Sequence, residues 1–282
     1  MNVKSTSRIQ TRFKKLKAEG RGGLITFLTA GDPNLQASRE ILFGLADAGA
    51  DFIELGMPFS DPMADGPAIQ AGSLRALKNG MTLKKTLALV SEFRQQDADT
   101  PIILMGYYNP IYIYGVEEFV VDAKAAGVDG LIIVDLPPEE VDEIWKPACE
   151  AGIDIIFLTA PTSDNDRLSV ILRRASGFVY YVSIAGITGT HSANLSNVKD
   201  SIKRLRKQTD LPVGVGFGIN TPDQAQGIAS VADAAVVGSA LVEVIDKNLD
   251  DNGNPGPKLV DSVLCLVSEL ALGVKQSEKV NV

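Results

Sequence analysis

Two carboxylates frame the chemistry open to this chain. Glu54 lies in the apolar run DFIELGMP, and Asp65 follows eleven residues later inside PFSDPMADGP. Side chains alternate along an extended segment, so Phe52, Glu54 and Gly56 share one face while Ile53 and Leu55 share the other. A glutamate turned toward a core is costly unless it is paired or used in chemistry. Taken alone, Glu54 reads most simply as a structural carboxylate satisfied by hydrogen bonds. A second acid on a long loop leaving the same strand end turns the reading toward acid–base catalysis.

The residues that are missing narrow the reaction further. No apolar, strand-like segment carries a lysine, so a Schiff-base aldolase lacks its nucleophile. One histidine, His191, assembles no convincing Ser–His–Asp set. With two cysteines, Cys149 and Cys265, far apart and no CxxC pair, no metal site is expected. Tyr107 and Tyr180, near strand ends, complete the proton-transfer inventory.

A second motif concerns phosphate. Gly216, Phe217 and Gly218 end one apolar run, and Gly238 and Ser239 end the next, just before a helix start. Such glycines can simply permit tight turns. Both together, at matching positions, favour a backbone N–H cradle for a phosphate, to which Ser239 adds a hydroxyl.

Eight short apolar runs begin near Leu24, Asp51, Pro101, Gly130, Asp154, Phe178, Pro212 and Ala234, each followed by a helix-patterned segment. AGAD, AGVDG and AGID place a glycine at a helix end just before a strand. The expected fold class is α/β, a single (β/α)8 TIM barrel spanning 1–282 as one domain. An extra N-terminal helix is expected at about 4–20, the barrel at about 22–273, and a flexible C-terminal tail beyond. A doubly wound sheet is the runner-up; TAGDP after the first strand is not its glycine fingerprint. Two loops are long: one after the second strand, from Phe59 to a helix near Leu74, and one after the sixth, from Thr188 to Asn197. Both suit lids over one mouth. The stretch from Asp246 to Pro257 reads as a solvated linker.

With 27 Lys and Arg against 35 Asp and Glu in 282 residues, the formal net charge of −8 argues against sequence-independent nucleic-acid binding. No apolar run is long enough to span a membrane and no signal-peptide core is visible, so a cytoplasmic location is expected.

ITFLTAGDP, FIELGMPFSDPMADGPAIQ, SIAGITGT, VGVGFGI and VVGSALV together resemble the signature segments of the tryptophan synthase alpha chain family, over about Ile9 to Leu272. The resemblance implies a cofactor-free retro-aldol cleavage of indole-3-glycerol phosphate to indole and glyceraldehyde 3-phosphate. It implies that Glu54 is the acid–base, that Asp65 supports the indole nitrogen and that Tyr180 lines the site as a third catalytic position. Phe27 matches an indole-packing position, and Thr188 one that closes on Asp65. Gly189, Phe217, Gly218, Gly238 and Ser239 match phosphate-binding positions, and Tyr107 is placed among the substrate-binding residues. Asp61, Pro62 and Asn109 match contacts with a pyridoxal-phosphate beta chain in an α2β2 complex. His191, Ser192 and Asn194 stand where an Arg-containing segment is often expected. Remaining alternatives are another phosphosugar barrel enzyme, a stand-alone indole-releasing relative and a non-catalytic barrel that activates a partner.

Overall fold

The computed structural model describes residues 7–183, 195–216 and 218–277. Its strands are β1 (Gly23–Thr29), β2 (Phe52–Gly56), β3 (Ile102–Gly106), β4 (Gly130–Ile133) and β5 (Asp154–Ile155). They continue as β6 (Phe157–Thr159), β7 (Val179–Val182), β8 (Val213–Gly216) and β9 (Ala234–Val237). The helices are α1 (Arg8–Ala18), α2 (Leu35–Gly44), α3 (Pro67–Lys78), α4 (Leu83–Arg94), α5 (Tyr108–Tyr114) and α6 (Val116–Ala126). Then follow α7 (Asp142–Ala151), α8 (Asn165–Leu172), α9 (Leu195–Arg206), α10 (Pro222–Val231), α11 (Ser239–Lys247) and α12 (Leu259–Lys275).

All strand pairs are parallel, in the order β5-β4-β3-β2-β1-β9-β8-β7-β6. The two outermost strands are neighbours in sequence, separated by Ile156, whose N–H donates to the Leu131 carbonyl at 2.9 Å. They are halves of the expected fifth strand, interrupted by one residue, so the sheet closes into a (β/α)8 TIM barrel. Alternation sorts the side chains. Ile25, Phe52, Ile103, Ile132, Phe178 and Val236 fill the barrel, whereas Ile53 and Leu55 pack outward against the helices.

The N-terminal helix stoppers the barrel floor. Ser7 caps α1 by accepting the Gln10 N–H, and Ile9, Phe13 and Leu16 join the inner core. Phe13 lies 4.4 Å from the Phe52 ring centroid and 5.8 Å from that of Phe178. Around this plug, the aspartates that precede strands serve two masters. Asp129 accepts the Ile102 N–H (2.9 Å) together with Arg8 (2.8 Å) and Arg94 (2.6 Å). Asp51 accepts the Leu24 N–H (3.0 Å) and a two-pronged Arg21 (2.8 and 2.9 Å).

Several expected boundaries move. The helix after the second strand starts at Pro67, not near Leu74, because Gly66 is the extended N-cap and Pro67 occupies the first turn, where its missing N–H costs nothing. Gly127 and Gly152 are left-handed caps as expected, but α2 ends at Gly44 and a turn intervenes before Gly49. The stretch from Asp246 to Pro257 is more ordered than a linker. It begins inside α11 and folds back through a Leu249–Pro255 bridge, with the Asp250 carboxylate accepting the Asn252 and Asn254 N–H groups.

On the opposite face a buried clasp fixes the walls of the mouth. Asp32, fully buried after β1, takes two hydrogen bonds from Arg75 of α3 (2.7 and 3.0 Å). Arg75 also reaches Asp246 of α11 at 2.7 Å. Helix α3 is thereby held against both β1 and α11.

Candidate active site

Strand β2 carries Glu54 with its neighbours Phe27 on β1 and Ile103 on β3 in register. The alternation that turns Phe52 inward below also turns Glu54 inward above, where the barrel interior opens. Glu54 is 1% exposed, and its Oε1 has no hydrogen-bond partner. Desolvation alone raises its pKa to about 8, so at neutral pH the carboxyl keeps its proton. A buried polar atom left unsatisfied is a cost the fold tolerates where a ligand is to bind.

Asp65 arrives from the loop between β2 and α3. Its N–H donates to the Pro62 carbonyl (3.1 Å), and Gln70 Nε2 donates to its own carbonyl (2.8 Å). Burial raises the Asp65 pKa to about 6, against a hydrogen bond from the Tyr107 hydroxyl that lowers it. That hydroxyl also accepts the Ala64 N–H at 2.9 Å, and burial together with the Asp65 charge pushes Tyr107 up to about 12. Tyr107 is 2% exposed and packs on Phe59, ring centroids 5.1 Å apart. It supports the loop from beneath rather than lining the cavity.

Tyr180 faces the cavity from β7, its hydroxyl held well above the usual phenol range by burial and by Glu54. It needs a glycine beside it, since a Cβ at Gly216 would sit 2.6 Å from the Tyr180 oxygen. Phe27 likewise fills the space above Gly56, where a Cβ would come within 2.6 Å of its ring. Glu54, Asp65, Tyr180 and Phe27 thus line one cavity of about 390 Å³, with Met105 and Val236 adding apolar wall.

The far end of the same cavity is the glycine-rich rim. Gly218, with φ +63°, follows β8, and Gly238 is the N-cap residue of α11, whose first residue is Ser239. The unpaired N–H groups of a helix start point toward whatever occupies that end, and the helix dipole favours an anion there. Thr188, Gly189, His191, Ser192, Asn194 and Phe217 lie outside the described residues. Asp61, Pro62 and Asn109 are at the mouth, Asp61 and Asn109 exposed, beside the loop tip Met63. Sequence reasoning missed Met105 and Glu243 as cavity residues; a four-residue step along α11 from Ser239 would have found Glu243.

The family model for the tryptophan synthase alpha chain matches residues 13–270. The chain belongs to this family. Solved structures agree over nearly the full length. A tryptophan synthase subunit alpha from Legionella pneumophila str. Paris is 38% identical, with a TM-score of 0.87, covering 96% of this chain and 99% of that one. A chain of Mycobacterium tuberculosis tryptophan synthase is 36% identical, with a TM-score of 0.86, covering 97% and 100%. A protein from Aquifex aeolicus VF5 is 36% identical, with a TM-score of 0.85, covering 95% and 99%.

Membership of the tryptophan synthase alpha chain family makes this a lyase fold of tryptophan biosynthesis. Among the described residues no group of three or more His, Cys, Asp and Glu side chains could hold a metal ion. Nor is any described helix long and apolar enough to cross a membrane.

Proposed function

We propose that the chain cleaves indole-3-glycerol phosphate to indole and glyceraldehyde 3-phosphate, with no cofactor of its own. The observation that carries this reading is a pair of carboxyl groups on one cavity with opposite protonation at neutral pH, Glu54 near 8 and Asp65 near 6. Protonated Glu54 donates its proton to indole C3, and Asp65 balances the positive charge that develops at the ring nitrogen. The Glu54 carboxylate so formed takes the proton from the hydroxyl on the adjacent glycerol carbon. That carbon becomes the aldehyde, the bond to C3 breaks, and its electron pair returns to the ring. The proton lent by Glu54 stays on C3 and the hydroxyl proton restores Glu54, so no other reactant is consumed.

The cavity suits such a substrate at both ends. Phe27, Met105 and Val236 offer an apolar slot for the indole, and Gly218, Gly238 and Ser239 offer N–H and hydroxyl donors for the phosphate. Thr188, Gly189 and Phe217 are assigned beside them by family position.

The reading extends to a partner, a pyridoxal-phosphate beta chain in an α2β2 assembly that consumes the indole. Asp61, Pro62 and Asn109 would meet it. Met63 is 79% exposed, and Tyr112 and Ile113 of α5, the helix bearing Asn109, are 59% and 76% exposed, an apolar surplus for a partner to cover. Indole release by the purified chain, with Glu54→Gln as the control, tests the reaction. Gel filtration with and without a beta chain tests the assembly. We take 1–282 as one domain in the cytoplasm, so calorimetry of the chain should show one transition.

A further inference from the structure

We propose that Glu243 sets how tightly the phosphate end of the cavity holds its ligand, keeping that hold loose by repulsion so that the phosphorylated product leaves. The proposal rests on the reading of this cavity as a phosphomonoester site. Glu243 lines the same cavity as Gly238 and Ser239. It lies four residues after Ser239 on α11, hence one turn along the same helix face. Side chains in a helix lean toward its N-terminus, which carries the Glu243 carboxylate toward the rim rather than away from it. The residue is exposed, and among the described residues it has no hydrogen-bond or ion-pair partner to neutralise it.

The surroundings make that one charge matter. The described side chains lining the cavity include no Lys, Arg or His, and their ionisable carboxyls are Glu54, Asp65 and Glu243. Residues 184–194 and 217 lie outside the described residues; in sequence they hold no Lys or Arg and one histidine, His191. Among the described residues a phosphate here meets neutral donors and the partial positive charge of one helix start, equivalent to about half an elementary charge. A full negative charge one turn away offsets much of that attraction. Lys247, one turn further along α11, makes no ion pair with Glu243 among the described residues, so the charge is not held in a helix-surface pair. Acidic residues favour a helix start within its first turn, whereas Glu243 is the fifth residue of α11.

Two unit charges about 7 Å apart at a solvent-exposed site, between the bulk-water and protein-surface dielectric limits and partly screened by salt, repel enough to change a dissociation constant about threefold to tenfold. The repulsion is screened by salt, since the Debye length falls from about 10 Å at 0.1 M to about 3 Å at 1 M. Glu243→Gln should therefore bind glycerol 3-phosphate about threefold to tenfold more tightly than the unaltered chain at low KCl, with the gap closing toward about 1 at high KCl. Glu243→Asp should stay near the unaltered chain, and Glu243→Lys should bind more tightly still. In turnover, the Gln variant should show a lower KM and stronger inhibition by glyceraldehyde 3-phosphate.

The test is isothermal titration of the full chain with glycerol 3-phosphate at two KCl concentrations, beside an indole-release assay. Glu269→Gln, which removes one charge from α12, controls for net charge, and melting curves confirm that each variant folds. A Gln variant with unchanged affinity and unchanged salt dependence, or one that binds more weakly, overturns the role of Glu243. A chain that neither binds glycerol 3-phosphate nor releases indole, with all variants alike, overturns instead the reading of the cavity on which the role rests.

Discussion

The Tyr107 hydroxyl donates to the Asp65 carboxylate while accepting the Ala64 N–H at 2.9 Å, so one buried ring fixes both the path of the loop and the acidity of its carboxylate. Tyr107→Phe keeps the ring packed on Phe59 and removes both hydrogen bonds. Asp65, near 6, then loses the contact that lowers its pKa, and the pKa must rise. The acidic limb of the kcat/KM profile should move to higher pH, with a loss of about tenfold at pH 7. An unmoved limb would show that Tyr107 does not tune Asp65.

The pair Glu54 and Asp65 predicts a bell-shaped profile. Activity needs Asp65 ionised and Glu54 protonated, so kcat/KM should rise through about 6 and fall through about 8. Glu54→Gln should cost about 10²- to 10⁴-fold in turnover. Near-normal indole production by that variant would remove Glu54 from the mechanism.

The same substitution should act on stability with the opposite sign. The folded pKa of Glu54, about 8, lies above its ordinary value of 4.5, so its contribution to stability is fully present below 4.5 and is lost as pH rises through about 8. Glutamine avoids that loss. Melting temperatures of Glu54→Gln and the unaltered chain should nearly coincide at pH 4 and diverge by pH 8.5, the variant melting higher.

Glycines on the rim offer a separate check. Gly218→Val forces a β-branched residue to φ +63° and should raise the substrate KM sharply while the barrel stays folded. Gly216→Ala puts a methyl 2.6 Å from the Tyr180 oxygen, so it should lower kcat by displacing that hydroxyl. Crystals soaked with glycerol 3-phosphate would show whether the anion sits on Gly218, Gly238 and Ser239 at all.

At the mouth, Asp61→Ala should leave the isolated chain's rate nearly unchanged and blunt its gain on mixing with a beta chain. A chain fully active alone, with no gain from a beta chain, would favour the stand-alone alternative.

The amino-acid order by itself determined the barrel, the inward face of β2 and the glycine rim, because each is written in local periodicity and turn chemistry. Glu54 alternates with Ile53 and Leu55, and that two-residue period cannot be satisfied with the carboxylate facing the helices. Sequence signals also misled where one residue type has two uses. Pro67 and Gly66 read as breakers yet begin α3, and Ile156 interrupts a strand that looks continuous. Only the tertiary structure decided what depends on distance between remote segments. Asp65 and Tyr107 are 42 positions apart along the chain, and their hydrogen bond exists only because β2 and β3 are neighbours in the sheet. Asp32, Arg75 and Asp246 become one clasp, and Glu243 reaches the cavity of Glu54, for the same reason. The raised pKa of Glu54 belongs to this class too, since desolvation is a property of everything that surrounds a group and not of its neighbours in the chain.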